Sequence, residues 1–118
     1  MMTINGIERG FDFTVGAYSA LSRMCRNNDL SHFEELFMGS TAETVDNLLE
    51  IAMILNKAYE SKRYYNGETP ARPLDREELE NLGITELKQL QGEIMSVMTA
   101  NGEVEVEPSK KNEMTDTI

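Results

Sequence analysis

Hydrophobic and polar residues alternate over the first residues of the chain, and beyond them the hydrophobic residues recur every three or four positions. Asn5-Gly6 divides the alternating segment and is a strong type I′ turn signal, because both residues tolerate positive φ. A two-residue turn there pairs Ile4 with Ile7 and predicts a β-hairpin. The predicted apolar face of the hairpin comprises Met2, Ile4, Ile7, Phe11 and Phe13. Because an isolated hairpin is marginally stable in water, the helices that follow must cover this face.

The rest of the chain carries the start and stop signals of about five helices. Starts are marked by Ser, Thr or Asp at the N-cap, in several cases with Glu three residues later. The predicted starts are Thr14, Ser31 with Glu34, Ser40 with Glu43, Asp75 with Glu78, and Thr85. The predicted ends are Asn27-Asn28, Gly39, Asn66-Gly67, Gly83 in a left-handed conformation, and Asn101-Gly102. Segment 48–55 is apolar nearly all round, which predicts a central helix covered on several sides.

These signals predict a mainly α fold, a small helical domain of residues 1–102 with an N-terminal β-hairpin. Segment 103–118 begins with EVEVEP and continues with a polar run that has almost nothing apolar, so we predict a flexible acidic tail that cannot offset its ordering entropy. The alternation of Val104 and Val106 leaves a second interpretation open, in which this segment adds a short strand to the hairpin edge.

Charge and composition narrow the class of protein. The formal net charge is −10, from 11 basic and 21 acidic side chains, and disfavours general nucleic-acid binding because phosphate contacts need Lys and Arg. No apolar run approaches the roughly 18 residues of a membrane span, and no signal-peptide pattern opens the chain, so we predict a cytoplasmic protein. Cys25 is the single cysteine, so it lacks an intrachain disulfide partner and is predicted to be a small buried hydrophobe.

Catalytic and metal-binding signals are weak throughout the sequence. His32 is the single histidine and has Glu35 three residues later, whereas a metal site needs several such ligands, so a surface histidine is predicted. The acidic run at 75–80 falls at a helix start, where carboxylates meet the helix dipole favourably, and it does not match a calcium loop. The sequence has neither the G-x-x-x-x-G-K phosphate loop nor a G-x-G-x-x-G motif after a strand. We therefore predict a protein that is not an enzyme and has no catalytic residue, metal or cofactor.

Two residue groups suggest binding instead. The first is the basic and aromatic cluster Lys57, Lys62, Arg63, Tyr64, Tyr65 and Arg72. It either complements the C-terminal dipole of the long helix or forms a patch for an acidic partner or nucleic acid. The second is the set of methionines Met24, Met38, Met53, Met95 and Met98. Core filling is favoured for Met24 and Met53, whereas core filling and contact with a partner are equally open for Met95 and Met98.

Two segments of the chain resemble a known family. MTINGIERGFDFTVGA at 2–17 resembles the opening of the small tail assembly chaperones of long-tailed phages and prophages of Gram-positive bacteria. The proline loop PARPL at 70–74, followed by DREELENL at 75–82, resembles the same family. The resemblance covers roughly residues 2–100. It implies a non-catalytic protein of the bacterial host cytoplasm that binds the aggregation-prone tape measure protein, keeps it soluble during tail assembly, and is absent from the mature virion.

Binding exposed helices requires an adaptable apolar surface. We therefore expect the partner contacts to be made by Tyr64, Tyr65, Ile94, Met95 and Met98. Self-association is expected through the hairpin edge or the Met95 and Met98 stripe. The resemblance also implies a longer, frameshifted product in many relatives, and Lys110-Lys111-Asn112 fits an A-rich slippery site. Two other classes stay open: a small cytosolic protein-protein interaction or regulatory module of a prophage, and a small enzyme or nucleic-acid binder.

Overall fold

The computed structural model describes residues 1–100, and its N-terminal segment forms the hairpin that the sequence predicts. Strand β1 (Met2–Ile4) pairs antiparallel with β2 (Ile7–Arg9), and Ile4 lies opposite Ile7. Asn5 and Gly6 both have positive φ, 55° and 81°, as a type I′ turn requires. The predicted helix end at Asn101-Gly102, the tail at 103–118, its alternative strand and the slippery-site segment lie outside the described residues.

Most of the remaining described chain is helical, apart mainly from the loop at 66–75, which confirms the mainly α fold class with an N-terminal hairpin. The helices are α1 (Val15–Met24), a 3₁₀ helix (Leu30–Phe37), α2 (Thr41–Tyr65), α3 (Arg76–Glu80) and α4 (Ile84–Ala100), with a further 3₁₀ turn at Arg26–Asn28. Within residues 1–100, none of these helices has the length and apolar character needed to cross a membrane.

Three of the predicted helix starts are confirmed by their capping hydrogen bonds. The hydroxyl of Thr14 accepts from the backbone N–H of Ala17 and caps α1. Ser40 with Glu43 forms a complete capping box at α2, and Asp75 with Glu78 forms another at α3.

The predicted start at Ser31 is wrong. Asn27 and Asn28 both have positive φ, and the N-cap of the 3₁₀ helix is Asp29, whose carboxylate accepts from the N–H of Ser31 at 3.0 Å. An aspartate placed directly before the segment satisfies a free N–H group of its first turn, so Ser31 is already inside the helix.

The predicted role of Gly83 is also wrong. Its φ is not positive, and its N–H donates to the carboxylate of Glu86 at 2.8 Å. Gly83 therefore belongs to the start of α4, which begins at Ile84, one residue before the predicted start at Thr85.

Helix α2 is the centre of the core, as its nearly continuous apolar segment predicts. Its buried apolar residues are Leu48, Leu49, Ile51, Ala52, Leu55 and Ala58. The hairpin, α1, the 3₁₀ helix, α3 and α4 all add buried residues to the same cluster. The chain leaving β2 lies directly against α2: the N–H of Asp12 donates to the carbonyl of Leu55 at 3.1 Å, and a Cβ at Gly10 would overlap the ring of Tyr59. Gly10 is thus required by close packing.

Candidate interaction surface

Two of the predicted partner-contacting residues lie on the surface. Tyr64 and Tyr65 are the last two residues of α2, and they are 62% and 82% exposed. Their rings meet edge to face, with centroids 5.2 Å apart and an interplanar angle of 81°. This tyrosine pair therefore presents an exposed, amphipathic aromatic surface at one end of the central helix. Its contact with a partner stays a prediction.

The other predicted contacts lie on α4, where the structure places two of the three in the core, against the expectation that they contact a partner. Ile94 and Met98 are completely buried, and Met95 is half-buried against the core. The four-residue spacing of Leu90, Ile94 and Met98 places them on one side of α4, and that side packs on α2. Met98 therefore fills the core and is unavailable for the self-association predicted through the Met95 and Met98 stripe.

The positive charges of the basic and aromatic cluster are largely neutralised by carboxylates of the same chain. The ion pairs are Lys62 with Asp12 at 3.3 Å, Arg63 with Glu68 at 3.0 Å and Glu60 at 3.4 Å, and Arg72 with Glu78 at 2.6 Å. Lys62 and Arg63 also lie in the last turn of α2, where cations complement the helix dipole. These contacts support the structural interpretation of the cluster over a nucleic-acid patch.

A buried arginine connects the hairpin to the proline loop and α3. The side chain of Arg9 is fully buried, and its Nη1 donates to the carbonyl of Arg72 at 2.5 Å. Its Nη2 lies 3.4 Å from Oε1 of Glu78, whose Oε2 accepts from Nη2 of Arg72. Among residues 1–100, Arg9 Nε has no hydrogen-bond partner. We call Arg9, Arg72 and Glu78 the arginine clamp.

Helix α2 connects the same two segments through a second polar contact. Asn56 is buried, and its amide donates to the carbonyl of Gly10 at 3.0 Å and accepts from the N–H of Leu74 at 3.3 Å. One turn further along, Glu60 accepts from the N–H of Ala71 at 3.0 Å. Two backbone N–H groups of the proline loop, those of Ala71 and Leu74, are therefore satisfied by side chains of the central helix, as buried polar groups require.

The sequence pattern did not predict the arginine clamp or the role of Asn56. Arg9 lies two residues after Ile7 in the strand and pairs with Met2. Because strand side chains alternate between the two faces, Arg9 is on the same, covered face as Ile7 and Met2. Asn56 lies at the end of the apolar segment of α2 and could have been suspected as a buried polar residue. Their partners in the proline loop are more than a dozen residues away, and no local pattern predicts those contacts.

The remaining candidate residues have structural contacts. His32 Nδ1 lies 3.1 Å from a carboxylate oxygen of Glu35, which also accepts from Arg26 at 2.8 Å, and this Arg26 hydrogen bond lowers the pKa of Glu35. In the described range 1–100, no group of three His, Cys, Asp or Glu side chains is arranged to hold a metal ion. Cys25 is a buried free thiol, as predicted, and burial raises its pKa.

The clamp predicts an acid-sensitive contribution to stability. The hydrogen bond from Arg72 is the main cause that lowers the pKa of Glu78 from 4.5 to about 2, with help from the Asp75 N–H and from Arg9. Because the pKa of Glu78 is lower in the folded protein than in the unfolded chain, the ionised carboxylate stabilises the fold above pH 4.5. This contribution is lost as the pH falls toward 2 and the carboxylate is protonated. We expect Glu78→Gln to reduce the free energy of unfolding at neutral pH, and the difference from the parent to shrink progressively below pH 4.5.

Urea unfolding followed by circular dichroism across this pH range measures the difference. Glu77→Gln removes a charge from the same helix without touching the clamp, so it is the matched control. A Glu78→Gln deficit that stays constant down to pH 2 would show that the lost ion pair is not what stabilises the parent.

Comparisons of the chain with protein-family models, curated proteins and solved structures give no match.

Proposed function

We propose that this protein is a tail assembly chaperone of a long-tailed phage or prophage. In this role it binds the tape measure protein in the cytoplasm of the bacterial host and keeps it soluble while the tail is built. It acts by binding alone, without catalysis, metal or cofactor, and it does not remain in the mature virion.

The observation that carries the proposal is the physical connection between the two segments that resemble this family. Segment 2–17 includes the hairpin, and segment 70–82 includes the proline loop and α3. Arg9 donates a hydrogen bond to the carbonyl of Arg72, and Asn56 forms buried hydrogen bonds to Gly10 and Leu74. A resemblance that falls on two distant segments has more weight when those segments form one packed unit, because their residues then depend on each other.

The surface properties also fit a holder of exposed apolar helices. The tyrosine pair offers large, rigid contact area at low conformational cost, which suits binding to helices of varied sequence. The net charge of −10 supports solubility while an aggregation-prone partner is bound. With Ile94 and Met98 in the core, the tyrosine pair carries the partner contacts in this proposal, and α4 packs against α2.

Co-expression with the cognate tape measure protein tests the proposal. The intact chain should move the tape measure protein into the soluble fraction. Tyr64→Ser with Tyr65→Ser should return it to the insoluble fraction, because truncating a tyrosine at a hot spot of an interface costs about 2 kcal/mol or more of binding free energy. The matched control is Met38→Ser with Ile84→Ser, which removes two other exposed apolar side chains and should keep the activity.

The double tyrosine variant must retain the parent's circular dichroism spectrum and melting temperature for this comparison to hold. The chaperone proposal is wrong if the tape measure protein stays insoluble both with the intact chain and with a longer frameshifted product. A position of the gene away from the tail tube and tape measure genes would then favour a regulatory module of a prophage.

A further inference from the structure

We propose that a groove between α1 and α2 is the site at which this protein binds an amphipathic helix that carries a carboxylate on its bound face. The groove has a volume of about 260 Å³, and the residues that line it come from the N-cap and body of α1 and from α2: Thr14, Gly16, Ala17, Ala20, Ile54, Lys57, Ala58 and Ser61. This inference rests on the proposed function and names the chemistry of the partner segment. We call this feature the α1–α2 groove.

The shape of the groove suits the close approach of another helix. Where the contacting side chains are small, two helices pack closely, with about 8 Å between their axes. Gly16 is not needed for packing within the chain, since a Cβ there would meet only the Thr14 hydroxyl, at 3.9 Å. The space beside Gly16 is therefore open to a molecule from outside.

The groove continues along α2 into the tyrosine pair. Ile54, Ala58, Ser61 and Tyr65 follow one another at spacings of four, three and four residues, so they lie on one face of the helix. This face extends about 16 Å at the rise of an α-helix, which matches three turns of a bound helix. A partner lying in the groove would thus end against exposed aromatic rings, which are typical anchors of an interface.

Charge determines which helix fits. Although the chain carries a net charge of −10, the residues lining the groove include no carboxylate, and Lys57 is their single charged side chain. Lys57 is exposed and forms no ion pair with any carboxylate in residues 1–100. An acidic residue on the bound helix would pair with Lys57, whereas a basic residue at that place would be repelled.

Binding of designed peptides to the full chain tests the site independently of the tape measure protein. The probe is a peptide of about 20 residues, about 30 Å long as a helix, with one face of Ala and Leu and a single central Glu on that face. Titration followed by ¹H–¹⁵N NMR should shift the amide signals of Gly16, Ala20, Ser61 and Tyr65, and should leave those on the outer side of α4 unchanged.

A charge swap then tests the predicted pairing. Lys57→Glu should weaken binding of the Glu peptide by about five- to tenfold, and replacing the peptide Glu with Lys should restore it. Lys88→Glu makes the same charge change on an exposed position of α4 and should leave the affinity unchanged. Because both lysines are exposed, neither variant should alter the melting temperature.

The outcomes separate this inference from the proposed function. If the tape measure protein becomes soluble on co-expression but the peptide shifts signals elsewhere, or the charge swap has no effect, the groove is not the binding site. Shifts of the groove signals that grow with protein concentration alone would assign the groove to a second copy of this chain and overturn the inference. Binding in the groove with an insoluble tape measure protein would support the site and contradict the chaperone role.

Discussion

Met98→Asp should unfold the protein at neutral pH. The side chain of Met98 is fully buried in the core between α4 and α2. An unpaired carboxylate there costs several kcal/mol beyond the lost apolar contact, and a domain of this size has only about 5–15 kcal/mol of total stability. Circular dichroism should show loss of helical signal at room temperature, or a melting temperature lowered by tens of degrees.

Met98→Leu is the matched control, because it conserves volume and apolar character and should cost less than about 1.5 kcal/mol. A Met98→Asp variant with the parent's melting temperature would mean that this part of α4 is detached from the core in solution. Met98→Asp also cannot be used to map a partner-binding surface, because any loss of binding would follow from unfolding.

Phe11→Ala should destabilise the protein by about 3–5 kcal/mol. The ring of Phe11 is buried, and it lies where the chain passes from β2 to α1 against the central helix. Removing it leaves a cavity at the place where the hairpin joins the core, in addition to the lost transfer free energy. Urea unfolding followed by circular dichroism gives the change in the free energy of unfolding.

Val15→Ala is the control for Phe11→Ala, because Val15 is 88% exposed four residues later, and its truncation should change stability by no more than about 0.5 kcal/mol. A loss below about 1 kcal/mol for Phe11→Ala would show that the hairpin is peripheral to the fold. It would also weaken the proposed function, which depends on the hairpin and the proline loop forming one packed unit.

The features that the sequence predicted well are those whose interactions are local. Asn5-Gly6 specifies its turn through the φ values that the two residues tolerate, and the turn alone sets the register of the hairpin. The capping boxes at Ser40 and Asp75 each join residues three positions apart. The predictions for Gly83 and Ser31 are wrong although each residue has a plausible local role, because the N–H of Gly83 donates to Glu86 at the start of α4 and Asp29 caps the segment that contains Ser31.

The sequence by itself determined the hairpin, the order of the helices, and the central place of α2, because periodicity and capping act within a few residues. Only the tertiary structure decided which exposed residues remain for a partner, since the apolar stripe of α4 turns inward and the tyrosine pair stays outside. Only the tertiary structure, too, brought Arg9 to the carbonyl of Arg72 and opened the α1–α2 groove. Burial and charge pairing between distant segments depend on how complete helices pack, and no short stretch of sequence contains that information.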